Sequence, residues 1–92
     1  MSKAVKRTLL IVNEKGLHAR ASARFVSVTE AHDARATVRR DGLEVSGDSI
    51  MGLMMLAASP GCTIDIEAAG ADAPQAMDAL VTLIGNRFNE DE

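Results

Sequence analysis

The sequence is poor in the residues that build disulfide frameworks and aromatic cores. Its 92 residues include one cysteine, two prolines, two phenylalanines, and neither tryptophan nor tyrosine. The lone Cys62 excludes an intramolecular disulfide framework, which suits a reducing compartment. Because aromatic rings are scarce, leucine, isoleucine, valine, methionine and alanine are expected to fill most of the core.

Long apolar runs and an excess of basic charge are also lacking. No stretch approaches the roughly 20 apolar residues that span a membrane, and the net charge of −3 gives no basic field for nucleic acid. The first residues show no pattern of a secretory signal. These features predict a cytoplasmic protein that binds no nucleic acid and inserts into no membrane.

The length of the chain predicts one domain, residues 1–92, with a thin margin of stability. So small a chain cannot enclose a deep active site, which favours chemistry at a surface residue shared with a larger partner. We expect a monomer, and we expect the acidic end, residues 89–92, to be a frayed terminus.

Hydrophobic periodicity predicts seven elements in the order βαββαβα. The strands are expected at 8–12, 34–39, 43–45 and 63–68, and the helices at 19–30, from about 49, and from 73 to about 88. Asp41-Gly42 predicts a tight hairpin turn, and Asp72 with Gln75 resembles a capping box. Four strands with one apolar face need a helical cover. We therefore predict an α/β (α+β) fold, a two-layer open-faced sandwich with a four-stranded antiparallel sheet and three helices on one face.

The segment around His18 carries the main chemical signal. A glycine-containing loop ends at His18, and the first predicted helix begins directly after it. The unpaired N–H groups and the positive dipole end of a helix attract anions there. Arg20 adds a cation whose fork matches phosphoryl oxygens, although it acts against its own helix by up to about 1 kcal/mol. Neutral imidazole is a nucleophile near pH 7, so the pattern is compatible with a phosphorylatable histidine. A lone histidine before a helix is usually a weak cap or a surface residue, and the local pattern leaves both interpretations open.

The second predicted helix carries more large apolar side chains than one face can bury. Those expected to remain exposed, as an adaptable surface for docking a partner, are Met51, Leu53, Met54 and Met55. Burial of some of them in the core is the alternative. Ser46, Asp48 and Ser49 all suit the N-cap of this helix.

His32 lies between Glu30 and Asp33, a spacing too weak to indicate a metal site. A solvated loop is the simpler interpretation, and no metal is expected.

Two motifs resemble those of a known family. Gly16-Leu17-His18-Ala19-Arg20 resembles the active-site signature of HPr, the histidine phosphocarriers of the phosphoenolpyruvate-dependent phosphotransferase system. Residues 45–54, VSGDSIMGLM, resemble the second-helix segment of the same family. With the element order and the length, the resemblance covers nearly the whole chain. One departure is Ala21, where the family commonly has proline; alanine keeps helix propensity, and we expect activity to survive.

The resemblance implies a phosphoryl relay that needs no cofactor. His18 would accept the group at Nδ1 from phosphorylated enzyme I and pass it to a histidine of an EIIA-type protein, with Arg20 stabilising it. The protein would then be a phosphoryl-transfer intermediate rather than a free-standing turnover enzyme. The first and second helices would form the partner interface. Ser49 aligns with the serine that HPr kinase/phosphorylase modifies in many bacteria.

Two alternatives to a sugar-uptake carrier stay open from the sequence. One is a regulatory module of a nitrogen-type relay that transports no sugar, with its output controlled at Ser49. The other is a ligand-binding domain that is never phosphorylated, in which His18 would be incidental.

Overall fold

The computed structural model describes residues 4–89, so residues 90–92 of the predicted frayed terminus lie outside it. The elements are β1 (Val5–Leu10), α1 (Ala19–Glu30), β2 (Arg35–Arg40), β3 (Leu43–Ser46), α2 (Ile50–Met55), β4 (Thr63–Ala69), α3 (Ala73–Gly85) and a 3₁₀ turn (Arg87–Asn89). The predicted order βαββαβα is confirmed. No helix within the described part of the chain is long and apolar enough to cross a membrane.

The four strands form one sheet in the order β1-β4-β2-β3, and each neighbouring pair is antiparallel. In β4, Ile64, Ile66 and Ala68 are buried, whereas the alternating Thr63 and Asp65 are exposed. This alternation gives the sheet one apolar face, which the helices cover, and one open polar face. The predicted open-faced sandwich is confirmed.

The core between the sheet and the helices contains both phenylalanines, Phe25 and Phe88, which are fully buried. Aliphatic side chains and methionine supply the rest, as the scarcity of aromatic residues predicts. The other large, fully buried apolar side chains are Ile11, Val38, Leu53, Ile64, Ile66, Met77 and Leu80.

The hairpin between β2 and β3 turns where the sequence predicts. Asp41 and Gly42 have φ of 51° and 82°, so both lie in the left-handed region that this tight turn requires.

The first strand begins and ends earlier than predicted. The basic residues Lys6 and Arg7 belong to it, because β4 pairs with β1 from Val5 onward. Ile11 lies beyond the strand, where its N–H donates to the carbonyl of Cys62 at 2.9 Å.

The last helix differs from its predicted form at both ends. Asp72 is its N-cap, but the predicted capping box does not form, because Asp72 Oδ2 accepts from the N–H of Asp33 at 2.9 Å. The helix ends at Gly85 rather than continuing to Phe88. Phe88 reaches the core from the 3₁₀ turn with a left-handed φ of 56°, and Arg24 Nη1 donates to its carbonyl.

Candidate functional site

His18 is the N-cap residue of α1, as its place before the predicted helix suggests. Its backbone is extended, with φ of −77° and ψ of −178°, and its Nδ1 accepts from the N–H of Arg20 at 3.3 Å. Its carbonyl accepts from the N–H of Ser22 at 2.9 Å, the first helical hydrogen bond. The side chain is half-buried. The imidazole therefore lies against the amide end of a 12-residue helix.

The loop that presents His18 is held by its close approach to the loop after α2. Leu17 donates its N–H to the carbonyl of Ala58 at 2.9 Å. Gly16 has φ of 64°, and a Cβ at this position would overlap the same carbonyl oxygen. Asn13 Nδ2 donates to the carbonyl of Gly16 at 2.8 Å. Glycine is therefore required at position 16 both by its conformation and by the space.

Arg20 places a cation in the first turn of α1, which carries no acidic residue. Its side chain is exposed. Other arginines are held elsewhere: Arg24 by the carbonyl of Phe88, and Arg39 by Glu44 and Glu67. The guanidinium of Arg20 forms no hydrogen bond or ion pair among residues 4–89, so it adds to the positive potential at the helix start.

Of the three predicted candidates, Ser49 is the N-cap of α2. Its Oγ accepts from the N–H of Gly52 at 2.9 Å. One residue before it, the exposed Asp48 accepts from Ser46 Oγ at 2.6 Å.

The predicted docking residues separate into an exposed group and a buried one. Met51, Met54 and Met55, here called the methionine patch, are 76%, 43% and 67% exposed. Leu53 is fully buried, so the prediction that it belongs to an exposed surface is wrong. A six-residue helix must turn one side toward the core to be stable, and Leu53 lies on that side.

Arg40 is a residue whose contacts the sequence does not indicate. Its Nη1 donates to the carbonyl of Leu56, the C-cap of α2, at 2.9 Å, and its Nη2 lies 3.2 Å from Cys62 Sγ. Hydrogen bonds from the side chain and the backbone of Ser59, and then from Arg40, lower the pKa of the Cys62 thiol. These contacts join residues far apart in the chain, so no local pattern could predict them.

His32 lies just beyond α1, with its Nδ1 2.8 Å from the carbonyl of Val28. Within residues 4–89 no group of three or more histidine, cysteine or acidic side chains could hold a metal ion.

The fold and the site define an open-faced sandwich that presents a histidine at the amide end of its first helix. A family model described as "PTS HPr component phosphorylation site" matches residues 5–86. The chain belongs to the HPr family of phosphocarrier proteins of the phosphotransferase system.

Similar proteins agree with this assignment over nearly their full length. Phosphocarrier protein HPr of Cupriavidus necator is 46% identical over 88 residues, covering 96% of this chain and 99% of that protein. Phosphocarrier protein NPr of Proteus mirabilis is 35% identical, and the match covers 92% of this chain and 96% of that protein. The crystal structure of an HPr from Thermoanaerobacter tengcongensis matches this structure with a TM-score of 0.90. The two sequences are 38% identical, and the match covers 96% of this chain and 99% of that one.

Proposed function

We propose that this chain carries a phosphoryl group on Nδ1 of His18, received from phosphorylated enzyme I and passed to a histidine of an EIIA-type protein. The observation that carries the proposal is the 3.3 Å hydrogen bond from the Arg20 N–H to His18 Nδ1. A nitrogen that accepts this bond directs its lone pair at the start of α1. A phosphoryl group on the same nitrogen would bring its oxygens to the N–H groups that bind anions.

The chemistry is a direct exchange of one N–P bond for another. The Nδ1 lone pair of His18 gives up its hydrogen bond from the Arg20 N–H and forms a bond to phosphorus as the N–P bond of the donor breaks, and the donor nitrogen keeps the electron pair. The helix start and the Arg20 guanidinium stabilise the negative charge on the phosphoryl oxygens during transfer. Because His18 is only half-buried, a second protein can reach the group and remove it.

The methionine patch supplies the docking surface in this proposal. Methionine side chains adapt their shape to different partners, which a carrier with a donor and an acceptor needs. The 2.9 Å hydrogen bond from Leu17 to Ala58 fastens the loop before His18 to the loop after α2. Docking at α2 would therefore orient the partner relative to His18.

Ser49 is the proposed regulatory residue. A phosphate added by a kinase of the HPr kinase/phosphorylase type would lie at the start of α2, where a helix tolerates negative charge. It would also repel a phosphorylated partner that approaches the methionine patch. The relay would operate in the cytoplasm, where its partners are expected.

The similarity values favour an HPr-type role over the nitrogen-type alternative. Identity to the HPr of Cupriavidus necator is 46%, against 35% to the NPr of Proteus mirabilis. Both roles use the same phosphoryl chemistry at His18, so they differ only in the protein that receives the group.

The test is phosphorylation of the purified chain with phosphoenolpyruvate, Mg²⁺ and enzyme I, followed by intact-mass measurement before and after acid treatment. We expect a gain of one phosphoryl group that acid removes. His18→Ala should abolish the gain while the circular dichroism spectrum stays that of a folded protein. The matched control is His32→Ala, which removes the other of the two histidines and should leave the gain unchanged.

Two results would contradict the proposal. One is a folded wild-type chain that gains no phosphoryl group from its cognate enzyme I. The other is a gain that persists in His18→Ala.

A further inference from the structure

We infer that Arg40 is a positioning residue that holds the C-terminal end of α2, and with it the methionine patch, in a fixed orientation relative to His18. The inference rests on the proposed function, because it assigns Arg40 a part in partner docking. Arg40 lies at the end of β2, on the side of the sheet that faces the helices, as do Ala36 and Val38.

The helix that carries the patch needs support from outside itself. α2 has six residues, far fewer than the roughly 12 to 15 that an isolated helix needs. The Ser49 side chain caps its start, and burial of Leu53 and Leu56 fixes one side. The last carbonyls of a helix have no partner within it. Arg40 donates to the carbonyl of Leu56 at 2.9 Å, where a cation also suits the negative end of the helix.

The same guanidinium also reaches the start of β4. Its Nη2 lies 3.2 Å from Cys62 Sγ, so Arg40 contacts both ends of the connection between α2 and β4, residues 56–62. Ala58 lies within this connection and accepts the N–H of Leu17, the neighbour of His18. Arg40 therefore holds the carbonyl of Leu56, and the backbone two residues further on, at Ala58, holds the loop before His18.

The ion pair of Arg40 does not explain its position. Asp41 Oδ2 lies 3.5 Å from Arg40 Nη1, but the Asp41 side chain is 81% exposed, and such a pair contributes little. The position of the Arg40 side chain is instead set by the contacts of Nη1 with the Leu56 carbonyl and of Nη2 with Cys62 Sγ. Lysine has one ammonium on a flexible stem and cannot reproduce this fork.

The experiment measures steady-state phosphorylation by enzyme I as the concentration of the chain is varied. For Arg40→Met we expect KM to rise about fivefold or more with kcat within about twofold, the pattern of lost binding with intact chemistry. Arg40→Lys should give an intermediate KM. The matched control is Arg35→Met, which removes the same charge from an exposed position of the same strand and should leave KM unchanged.

Amide hydrogen exchange gives a second readout. The N–H groups of Leu56 and Ala57 bond to carbonyls in the last turn of α2, and their exchange should be faster in Arg40→Met, while exchange in β4 stays that of the wild type. Circular dichroism checks folding, and if the methionine variant does not fold, the KM of Arg40→Lys decides alone.

Three outcomes would overturn the role of Arg40: a wild-type KM in both Arg40 variants, a fall in kcat at unchanged KM, or an equal rise of KM in Arg35→Met. Failure of the proposed function looks different, because the wild-type chain itself would then accept no phosphoryl group.

Discussion

At the scale of single residues, the proposed chemistry depends on one ring nitrogen and one guanidinium in the same helical turn. His18 caps α1 through the nitrogen that would bond phosphorus, and Arg20 supplies the N–H that this nitrogen accepts. The Arg20 side chain is a separate contribution, because its positive charge opposes the helix dipole until an anion arrives. The two residues therefore act on the phosphoryl group in different ways.

Substitution of Arg20 tests the guanidinium separately from the backbone. Arg20→Ala keeps the N–H that reaches His18 but removes the cation. A hydrogen bond to a charged group contributes about 1.5 to 3 kcal/mol, so kcat/KM with enzyme I should fall about 10- to 100-fold. Stopped-flow or quench-flow transfer assays measure kcat/KM. Arg20→Lys should give a value between those of the wild type and Arg20→Ala, because lysine keeps the charge without the forked guanidinium.

The control for lost charge is Arg35→Ala, on the exposed side of β2. Equal loss of activity in Arg20→Ala and Arg35→Ala would show that Arg20 acts only through net charge.

At the scale of elements, α2 combines a structural cap and a proposed regulatory residue in one side chain. Ser49 Oγ accepts from Gly52 N–H at 2.9 Å, so a change at Ser49 alters both helix stability and surface charge. Two substitutions separate these effects, because aspartate caps a helix as well as serine does whereas alanine does not.

We expect Ser49→Ala to lower the free energy of unfolding by about 1 kcal/mol while transfer from enzyme I stays near the wild-type rate. Ser49→Asp should keep the free energy of unfolding and slow transfer about tenfold or more, because like charges at an interface repel. Urea denaturation measures the first quantity and phosphorylation kinetics the second. Fast transfer to a stable Ser49→Asp variant would remove the proposed regulatory role.

At the scale of the whole molecule, the two faces of the sandwich have different characters. On the open sheet face, charged side chains pair with one another across strands. Arg39 Nε lies 2.7 Å from Glu44 Oε1, and Arg39 Nη1 lies 3.1 Å from Glu67 Oε1. The hydrogen bond to Glu44, and to a smaller extent the one to Glu67, raises the pKa of Arg39 above its usual value. The helical side carries His18, Arg20 and the methionine patch, so donor and acceptor proteins are expected to use the same surface.

A shared surface predicts that donor and acceptor cannot bind together. Transfer from the phosphorylated chain to an EIIA-type protein should slow in proportion to added enzyme I that cannot itself be phosphorylated. If the HPr-type assignment holds, a sugar-specific EIIA should also accept the group faster than a nitrogen-type EIIA. Rapid-quench transfer assays measure both rates. Transfer unaffected by excess enzyme I would require a second docking surface, and preference for the nitrogen-type protein would favour the alternative role.

Much of this arrangement follows from local sequence. The bounds of α1, the turn at Asp41-Gly42 and the N-caps at His18 and Ser49 depend on neighbouring residues, whose dihedral and hydrogen-bonding preferences act over a few positions. Periodicity, turn residues and cap residues are likewise local features, which explains why the order of the elements is predictable from the sequence.

Residues distant in the chain decided the rest. Asp72 bonds Asp33 instead of its own helix, and Leu53 is buried because α2 packs against the core. Arg40 meets Leu56, and Leu17 meets Ala58, only after the sheet has formed. The sequence by itself determined the order of the elements and the place of His18 at the start of α1, since these depend on local preferences. Only the tertiary structure decided which side chains of α2 are exposed and which contacts hold the end of α2 and the loop before His18, because burial and long-range hydrogen bonds exist only once distant segments pack together.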